Sequence, residues 1–133
     1  MSSIELSWGE AKLRTFIGMW LPPGIEVQYN VRPDWLRNPK TEQNLEYDFF
    51  FPSLKLAIEY NGWQHHRARW HEKKPTNQVQ WERDRMKYAL SQKAGIKLKT
   101  LAALHLRHVL KLQRTLLLWF SGKEVPPPVS SPS

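Results

Sequence analysis

The chain contains no cysteine among its 133 residues. Disulfide bonds, cysteine-ligated zinc sites and thiol nucleophiles are therefore excluded. A chain without cysteine suits a reducing compartment, so we expect an intracellular protein, either cytoplasmic or associated with a nucleoid.

Long apolar runs are also missing. No stretch approaches the roughly 20 apolar residues that span a bilayer, and the N-terminus lacks the basic-then-apolar order of a secretion signal. We therefore expect no membrane association. The length suits one domain, which we place at residues 1–122, and the Pro/Ser-rich residues 123–133 are expected to be a disordered tail.

Negative charge is in the minority. The chain has 20 Lys and Arg against 12 Asp and Glu, which gives a formal net charge of +8. Taken alone, this charge favours an anionic partner, with nucleic acid as the first candidate and an anionic membrane surface as the second. We predict DNA as the partner and no membrane. The alternative is that positive charge serves solubility alone.

The order of periodic and punctuating residues predicts a mixed α/β fold. Helical spacing opens at residue 7, strand-like segments follow, and a second helix separates the third strand from the fourth. The predicted helices are residues 7–20, 78–94 (with Val79, Met86, Ala89 and Leu90 buried) and 102–120, and the predicted strands are residues 25–31, 45–51, 54–61 and 96–101. A four-stranded mixed sheet flanked by helices follows.

Acidic residues interrupt two neighbouring apolar strands. Glu46 and Asp48 share one face of the second strand, and Glu59 and Asn61 share one face of the third. Buried carboxylates need charge compensation, and oxygen ligands in this number suit Mg²⁺ or Mn²⁺. Such a site hydrolyses phosphodiesters. The alternative is that the acids face solvent on a half-exposed sheet.

Glu10 belongs to a Ser7-x-x-Glu10 pattern at the start of the first helix. This is the spacing of a capping box, in which the glutamate bonds the backbone. Spacing alone favours that structural role, although an acid on this helix could also reach the metal site.

Three motifs resemble a known family: Tyr47-Asp48-Phe49, the run from Ile58 to His65 with Glu59-Tyr60-Asn61-Gly62, and Glu82-Arg83-Asp84-Arg85. Together with the element order, they resemble the PD-(D/E)XK nuclease superfamily. The branch in question contains very-short-patch repair endonucleases, related small endonuclease-like domains, and homing nucleases of phages and introns. The resemblance covers about residues 7–101 and implies the αβββαβ core of restriction endonucleases.

The resemblance also implies roles for individual residues. Asp48 and Glu59 would be the principal Mg²⁺ or Mn²⁺ ligands, with Glu46 beside them; Glu10 matches a first-helix glutamate, and His65 would act as general base or contact the phosphate. The usual lysine two residues after the glutamate is Asn61 here, which cannot supply positive charge. Lys87 on the second helix is the first candidate to replace it. Lys55 lies on the same strand face as Glu59, but about 13 Å away. The cysteines of the repair enzymes' zinc site are absent, so mismatch repair is not supported.

A basic, aromatic segment leaves directly from the predicted site. Its Arg and Lys residues can bind phosphates and its Trp can stack on bases, although Trp70 is equally suited to packing on the core. Arg32, Trp35, Arg37 and Lys40 would form the opposite wall. The predicted DNA-binding residues of the segment are Gln64, His66, Arg67, Arg69, Trp70, Lys73 and Lys74.

The predicted C-terminal helix has a wide apolar arc, lined by Leu101, Leu104, His108, Leu112, Leu116 and Trp119. One side would pack on the sheet and the other on a second copy, which would form a two-fold dimer. His105 and His108 are expected on the surface of this helix.

The first functional hypothesis is a metal-dependent endonuclease that acts on double-stranded or branched DNA. Two alternatives stay open: a nucleic-acid-binding module of the same fold without catalysis, and a nuclease-like subunit of a larger DNA-processing complex. Repair, homing, restriction and junction cleavage are not distinguished, and RNA stays open as a substrate.

Overall fold

The computed structural model describes residues 8–61 and 75–123, with side chains of the second helix described from residue 78. Short 3₁₀ helices lie at Asp34–Leu36, Pro52–Leu54 and Ala103–Arg107. The main elements are α1 (Trp8–Trp20), β1 (Gln28–Val31), β2 (Tyr47–Phe51), β3 (Leu56–Asn61), α2 (Pro75–Lys93), β4 (Lys97–Ala102) and α3 (Val109–Phe120).

The strands form one mixed sheet in the order β1-β2-β3-β4. Strands β1, β2 and β3 pair antiparallel, whereas β4 pairs parallel to β3, with Asn61 opposite Ala102 at the end of both strands. Helix α2 makes the connection that a parallel pair requires. The expected mixed α/β class is confirmed, and the carboxyl ends of β3 and β4 lie at the same sheet edge.

An apolar cluster covers each face of the sheet. On one face, Phe49 and Ile58 pack with α1 and α3 in a large cluster whose members include Leu13 and Leu116. On the other face, Phe50 packs in a smaller cluster with Leu36, Tyr47, Ala57 and Ile96. Alternate residues of a strand face opposite sides, so Phe49 and Phe50 serve different clusters.

Helix α2 packs through fewer residues than the sequence predicts. Met86 and Leu90, predicted to be buried, are half-buried, whereas Ala89 is exposed and Val79 is 52% exposed. Ser91, a polar residue, is fully buried in their place. The spacing of apolar residues therefore predicted the buried face of this helix incorrectly, because its most deeply buried side chain is the hydroxyl of Ser91.

The predicted start of the C-terminal helix, at residue 102, is wrong. Strand β4 continues through Ala102, a 3₁₀ helix follows, and α3 begins only at Val109. The His105 ring accepts the Ala102 amide through Nδ1 at 2.8 Å, which stabilises the sharp turn after β4. Consequently Leu104 is 60% exposed, whereas Leu106 and Phe120, outside the predicted face, are buried.

The hairpin between β2 and β3 corrects two further assignments. Residues Pro52–Leu54 form a 3₁₀ helix and Lys55 takes a left-handed conformation with φ 51°. Lys55 is thus part of the turn, not of the strand face that carries Glu59. Strand β2 begins at Tyr47, so Glu46 lies just before it rather than within it.

Candidate active site

Asp48 and Glu59 meet where the ladder between β2 and β3 ends. The last paired residues are Phe49 and Ile58, and the next residues on the two strands are Asp48 and Glu59. The Asp48 amide donates to Glu59 Oε2 at 3.3 Å, and the Tyr60 amide donates to Asp48 Oδ2 at 2.8 Å. Side-chain oxygens therefore replace backbone partners, and this holds the two carboxylates together.

Lys87 reaches this pair from α2. Its ammonium donates to Glu59 Oε1 at 3.0 Å and to the Glu46 carbonyl at 2.6 Å. The side chains of Lys87 and Glu59 are only 13% and 15% exposed, so the pair is shielded from water. The lysine that the sequence places first as a replacement for the missing strand lysine thus contacts the predicted glutamate.

The rotation of α2 that aims Lys87 inward depends on a buried hydroxyl pair. Ser91 lies one helical turn after Lys87, and its Oγ lies 2.5 Å from the Tyr47 hydroxyl. Trp35 Nε1 donates to the same hydroxyl at 3.2 Å, so the Tyr47 proton is free for Ser91. Trp35, predicted as part of a DNA-binding wall, therefore uses its indole N–H within the fold.

Glu10 approaches the carboxylate pair from α1. Burial raises its pKa most, the charge of Asp48 raises it further, and Arg14 lowers it. The close approach of α1 depends on Gly9, because a Cβ at this position would overlap the hydroxyl of Tyr60. Ser7, the partner in the predicted capping box, lies outside the described residues.

The site holds more carboxylates than cations, and its carboxylates are largely buried. Burial is the largest cause that raises the pKa of Glu59 to about 7; the charge of Asp48 adds to this, and Lys87 opposes it. Burial also raises the pKa of Asp48, against the Tyr60 amide and Lys87. One lysine therefore does not compensate the buried carboxylates fully.

Glu46 lies beside the pair but has its own partners. Arg32 approaches Glu46 Oε1 at 2.9 Å, and Asn30 donates to Oε2 at 2.8 Å. Asn30 adopts φ 52°, a left-handed conformation that asparagine tolerates well. Both carboxylate oxygens of Glu46 thus have partners within the fold. The predicted DNA-binding Arg32 is one of these partners. The guanidinium of Arg37, another predicted wall residue, lies 3.8 Å from Glu42 Oε1, and Lys40, the fourth, is exposed.

Asn61 ends β3 two residues after Glu59, which is the position the resemblance assigns to a lysine. The basic segment that follows lies outside the described residues, and with it His65 and the predicted DNA-binding positions Gln64, His66, Arg67, Arg69, Trp70, Lys73 and Lys74.

Sequence reasoning missed Gly9, Tyr60 and Arg14. Arg14 lies one turn after Glu10, and its guanidinium carbon lies 4.0 Å from the centre of the Tyr29 ring. Its Nε is buried without a hydrogen-bond partner among the described residues. The Glu-x-x-x-Arg spacing was the available signal, whereas nothing local marks the approach of Gly9 to Tyr60.

Within residues 8–61 and 78–123, no three His, Asp or Glu side chains are arranged as a ready metal-binding group. The same part of the chain contains no helix that is both long and apolar enough to cross a membrane. Asp48 and Glu59, with Glu10 nearby, are carboxylates that this site offers to a cation, whereas the oxygens of Glu46 are engaged by Asn30 and Arg32.

Comparison with known proteins finds two viral relatives. The chain is 37% identical over 93 residues to the uncharacterized protein 033L of Invertebrate iridescent virus 3, which covers 68% of this chain and 46% of the relative. It is 43% identical over 63 residues to the uncharacterized protein 307L of Invertebrate iridescent virus 6, which covers 42% of this chain and 32% of the relative. The chain thus spans less than half the length of these curated relatives. No family model and no solved structure matches it.

Proposed function

We propose that this chain is a metal-dependent endonuclease that hydrolyses phosphodiester bonds in DNA, built on a PD-(D/E)XK-type core. The observation that carries the proposal is the meeting of Asp48, Glu59 and Lys87 at the end of the β2–β3 ladder, where Lys87 Nζ lies 3.0 Å from Glu59 Oε1. An acid on each of two paired strands and an adjacent lysine are the groups that this reaction requires.

The residues fit a hard divalent cation by their chemistry. Mg²⁺ commonly uses only one or two protein carboxylates and completes its shell with water and substrate phosphate. Asp48 and Glu59 meet that requirement. Burial, and to a lesser extent neighbouring carboxylates, raises the pKa of each, so the charged forms are destabilised and a cation would offset this. When bound, Mg²⁺ or Mn²⁺ would polarise the phosphate and lower the pKa of a water ligand.

The remaining roles belong to the chain's own groups. Lys87, held by Glu59 and by the Glu46 carbonyl, places a positive charge where negative charge develops on the phosphate. Glu10 adds a carboxylate beside Asp48 that can orient an attacking water. Asn61 offers an amide at the same sheet edge, and it can orient water without carrying charge.

The test is cleavage of supercoiled plasmid and of branched DNA in Mg²⁺ and in Mn²⁺. The isosteric variant Asp48→Asn removes a charge without changing shape, so we expect cleavage to fall at least 100-fold while DNA binding persists. Glu26→Gln, an exposed acid outside the site, is the matched control and should cleave normally. Equal cleavage by wild type and Asp48→Asn would refute the proposal.

Binding without cleavage under either metal would favour the second candidate, a nucleic-acid-binding module of the same fold. One observation points that way: Glu59 is already engaged by Lys87, so the pair is partly compensated without a metal. Absence of both binding and cleavage would favour a subunit of a larger complex.

A two-fold dimer through α3 is a separate proposal. Leu110 and Leu117, two turns apart on this helix, are 75% and 42% exposed. Pairing two copies would place one cutting site on each strand of a duplex. Light scattering after size-exclusion chromatography that gives only the monomer mass at high concentration would remove it.

A further inference from the structure

Trp8 is the first described residue of α1, and its side chain is 75% exposed. Lys12 lies one turn later, with its ammonium 4.7 Å from the centre of the Trp8 ring. A tryptophan that is three-quarters exposed buries little apolar area, so packing alone does not account for its place here. A solvent-exposed aromatic ring next to a cation is an arrangement that proteins use to bind single-stranded nucleic acid.

A cavity of about 340 Å³ opens beside this ring, between α1 and the 3₁₀ helix after β4. The cavity is lined by one aromatic ring, by two cationic side chains and by two apolar residues, Ala103 and Leu106. Among the described residues, no carboxylate forms an ion pair with either cation. The lining residues are Trp8, Lys12, Ala103, Leu106 and Arg107.

The cavity and the carboxylate site share one edge of the sheet. Ala103 directly follows β4, whose last residue Ala102 pairs with Asn61 at the end of β3, two residues after Glu59. At 100° per residue, Trp8 and Lys12 lie on one flank of α1 and Glu10 on the opposite flank. The width of a helix, about 10 Å, therefore separates the two places.

We propose that Trp8, Lys12 and Arg107 form a binding subsite for one unpaired nucleotide of a nucleic-acid strand, with its base stacked on Trp8 and its phosphate held by Lys12 and Arg107. The nucleotide is unpaired because a base within a duplex already has neighbours stacked on both faces. The net charge of +8 favours a polyanion as the occupant. The subsite goes beyond the proposed cleavage, since it can operate in a chain that binds and does not cut.

Fluorescence anisotropy of a fluorescein-labelled 12-nucleotide oligothymidylate, in EDTA so that no divalent metal is present, tests the subsite. Trp8→Ala should weaken binding about tenfold, the cost of one lost stacking contact, and Trp8→Phe should recover part of it. Met19→Ala, on the same helix and 63% exposed, is the matched control and should bind like wild type.

The cations are tested through the salt dependence. The double variant Lys12→Ala/Arg107→Ala should reduce the slope of log affinity against log salt by about 0.7, the value for one phosphate contact on a single strand. Lys97→Ala, an exposed lysine on β4, should change the slope by less. Photo-crosslinking with a 5-iodouracil-substituted strand should label Trp8.

The proposal is overturned if wild type does not bind the oligonucleotide, if Met19→Ala weakens binding as much as Trp8→Ala, or if Trp8→Ala weakens a fully paired duplex equally. Circular dichroism identifies any variant that fails to fold, and Trp8→Phe then carries the test. Trp8-dependent binding without cleavage in Mg²⁺ or Mn²⁺ would leave the subsite standing and refute the proposed nuclease alone.

Discussion

The two faces of the sheet are covered in different ways. On one face, α1 and α3 bury a continuous apolar cluster in which Leu13, Ile17 and Leu116 are fully inaccessible. On the other face, α2 approaches with Met86 and Leu90 only half-buried, and Val79 and Trp81 are 52% and 48% exposed. Helix α2 owes its placement largely to polar contacts.

This difference separates the parts of the candidate site. Asp48 and Glu59 sit on strands that the large cluster fixes, whereas Lys87 sits on the helix that polar contacts hold. Apolar burial is insensitive to small rotations, but a hydrogen bond is directional. We therefore expect the carboxylates to be fixed by the core and the lysine to be fixed by Ser91 and Tyr47.

The largest effect is expected at Lys87. Lys87→Met keeps the apolar stem and removes the charge, so we expect plasmid cleavage in Mg²⁺ to slow at least 100-fold while DNA affinity changes little. Lys93→Ala, at the exposed end of the same helix, should cleave normally. An equal loss in both variants would mean that α2 contributes general charge rather than a specific group.

Core truncations on the two faces test the comparison directly. Leu116→Ala removes a side chain that is 0% exposed, so we expect unfolding in urea to become easier by about 2 to 5 kcal/mol. Leu90→Ala, in the half-buried contact of α2, should cost about 1 kcal/mol. Equal losses would mean that α2 packs as tightly as α3.

The pH dependence of stability follows from Glu59. Its pKa is raised from 4.5 to about 7 in the folded chain, so the folded state holds the proton more tightly. Stability is then fullest below pH 4.5 and is lost as the pH rises through 7. Glu59→Gln should remove a loss on the order of 2 to 3 kcal/mol.

Thermal unfolding without divalent metal, at about pH 5 and about pH 8, measures this effect. Wild type should lose more stability between these values than Glu59→Gln does, and added Mg²⁺ should restore wild type alone at the higher pH. Parallel pH profiles for the two proteins would show that Glu59 titrates as an ordinary carboxyl.

The smallest effect is expected at the hydroxyl pair. Ser91→Ala removes the Ser91 partner of the buried Tyr47 hydroxyl, so we expect a loss of about 1 to 2 kcal/mol. Because Lys87 lies one turn away, cleavage should also slow a few-fold. Adding Tyr47→Phe to Ser91→Ala should cost little beyond the lost acceptor of the Trp35 indole N–H, and fully additive losses would instead mean that the two hydroxyls act separately.

Much of the site could be predicted because it follows from local pattern. Alternation on strands places Asp48 and Glu59 in adjacent apolar segments, and the hairpin between them is short enough to set the register. Lys87 came from the resemblance, which implies a lysine that β3 lacks, so a lysine on the second helix was the first candidate to replace it. Each of these predictions uses the residue pattern of one strand, one helix or one hairpin, and such local patterns can be read directly from a sequence.

The rest depends on contacts between distant segments. One exception is short-range: His105 accepts the Ala102 amide from three residues away, and helical spacing does not reveal this bond at the start of the expected helix. The approach of Gly9 to Tyr60 joins residues 51 positions apart along the chain, and Ser91 bonds Tyr47 across 44. Spacing rules describe one element at a time, so such pairs lie beyond them.

Strand β4 is an outer strand of the sheet and, within the described part of the chain, pairs on one side only. Among the described residues, no strand pairs with its other side, to which a strand of a second molecule could add. Lys97 and Lys99 lie along it, so two such edges would bring like charges together. Because dissolved ions screen that repulsion, low ionic strength should keep concentrated samples free of aggregation, and high salt should promote it.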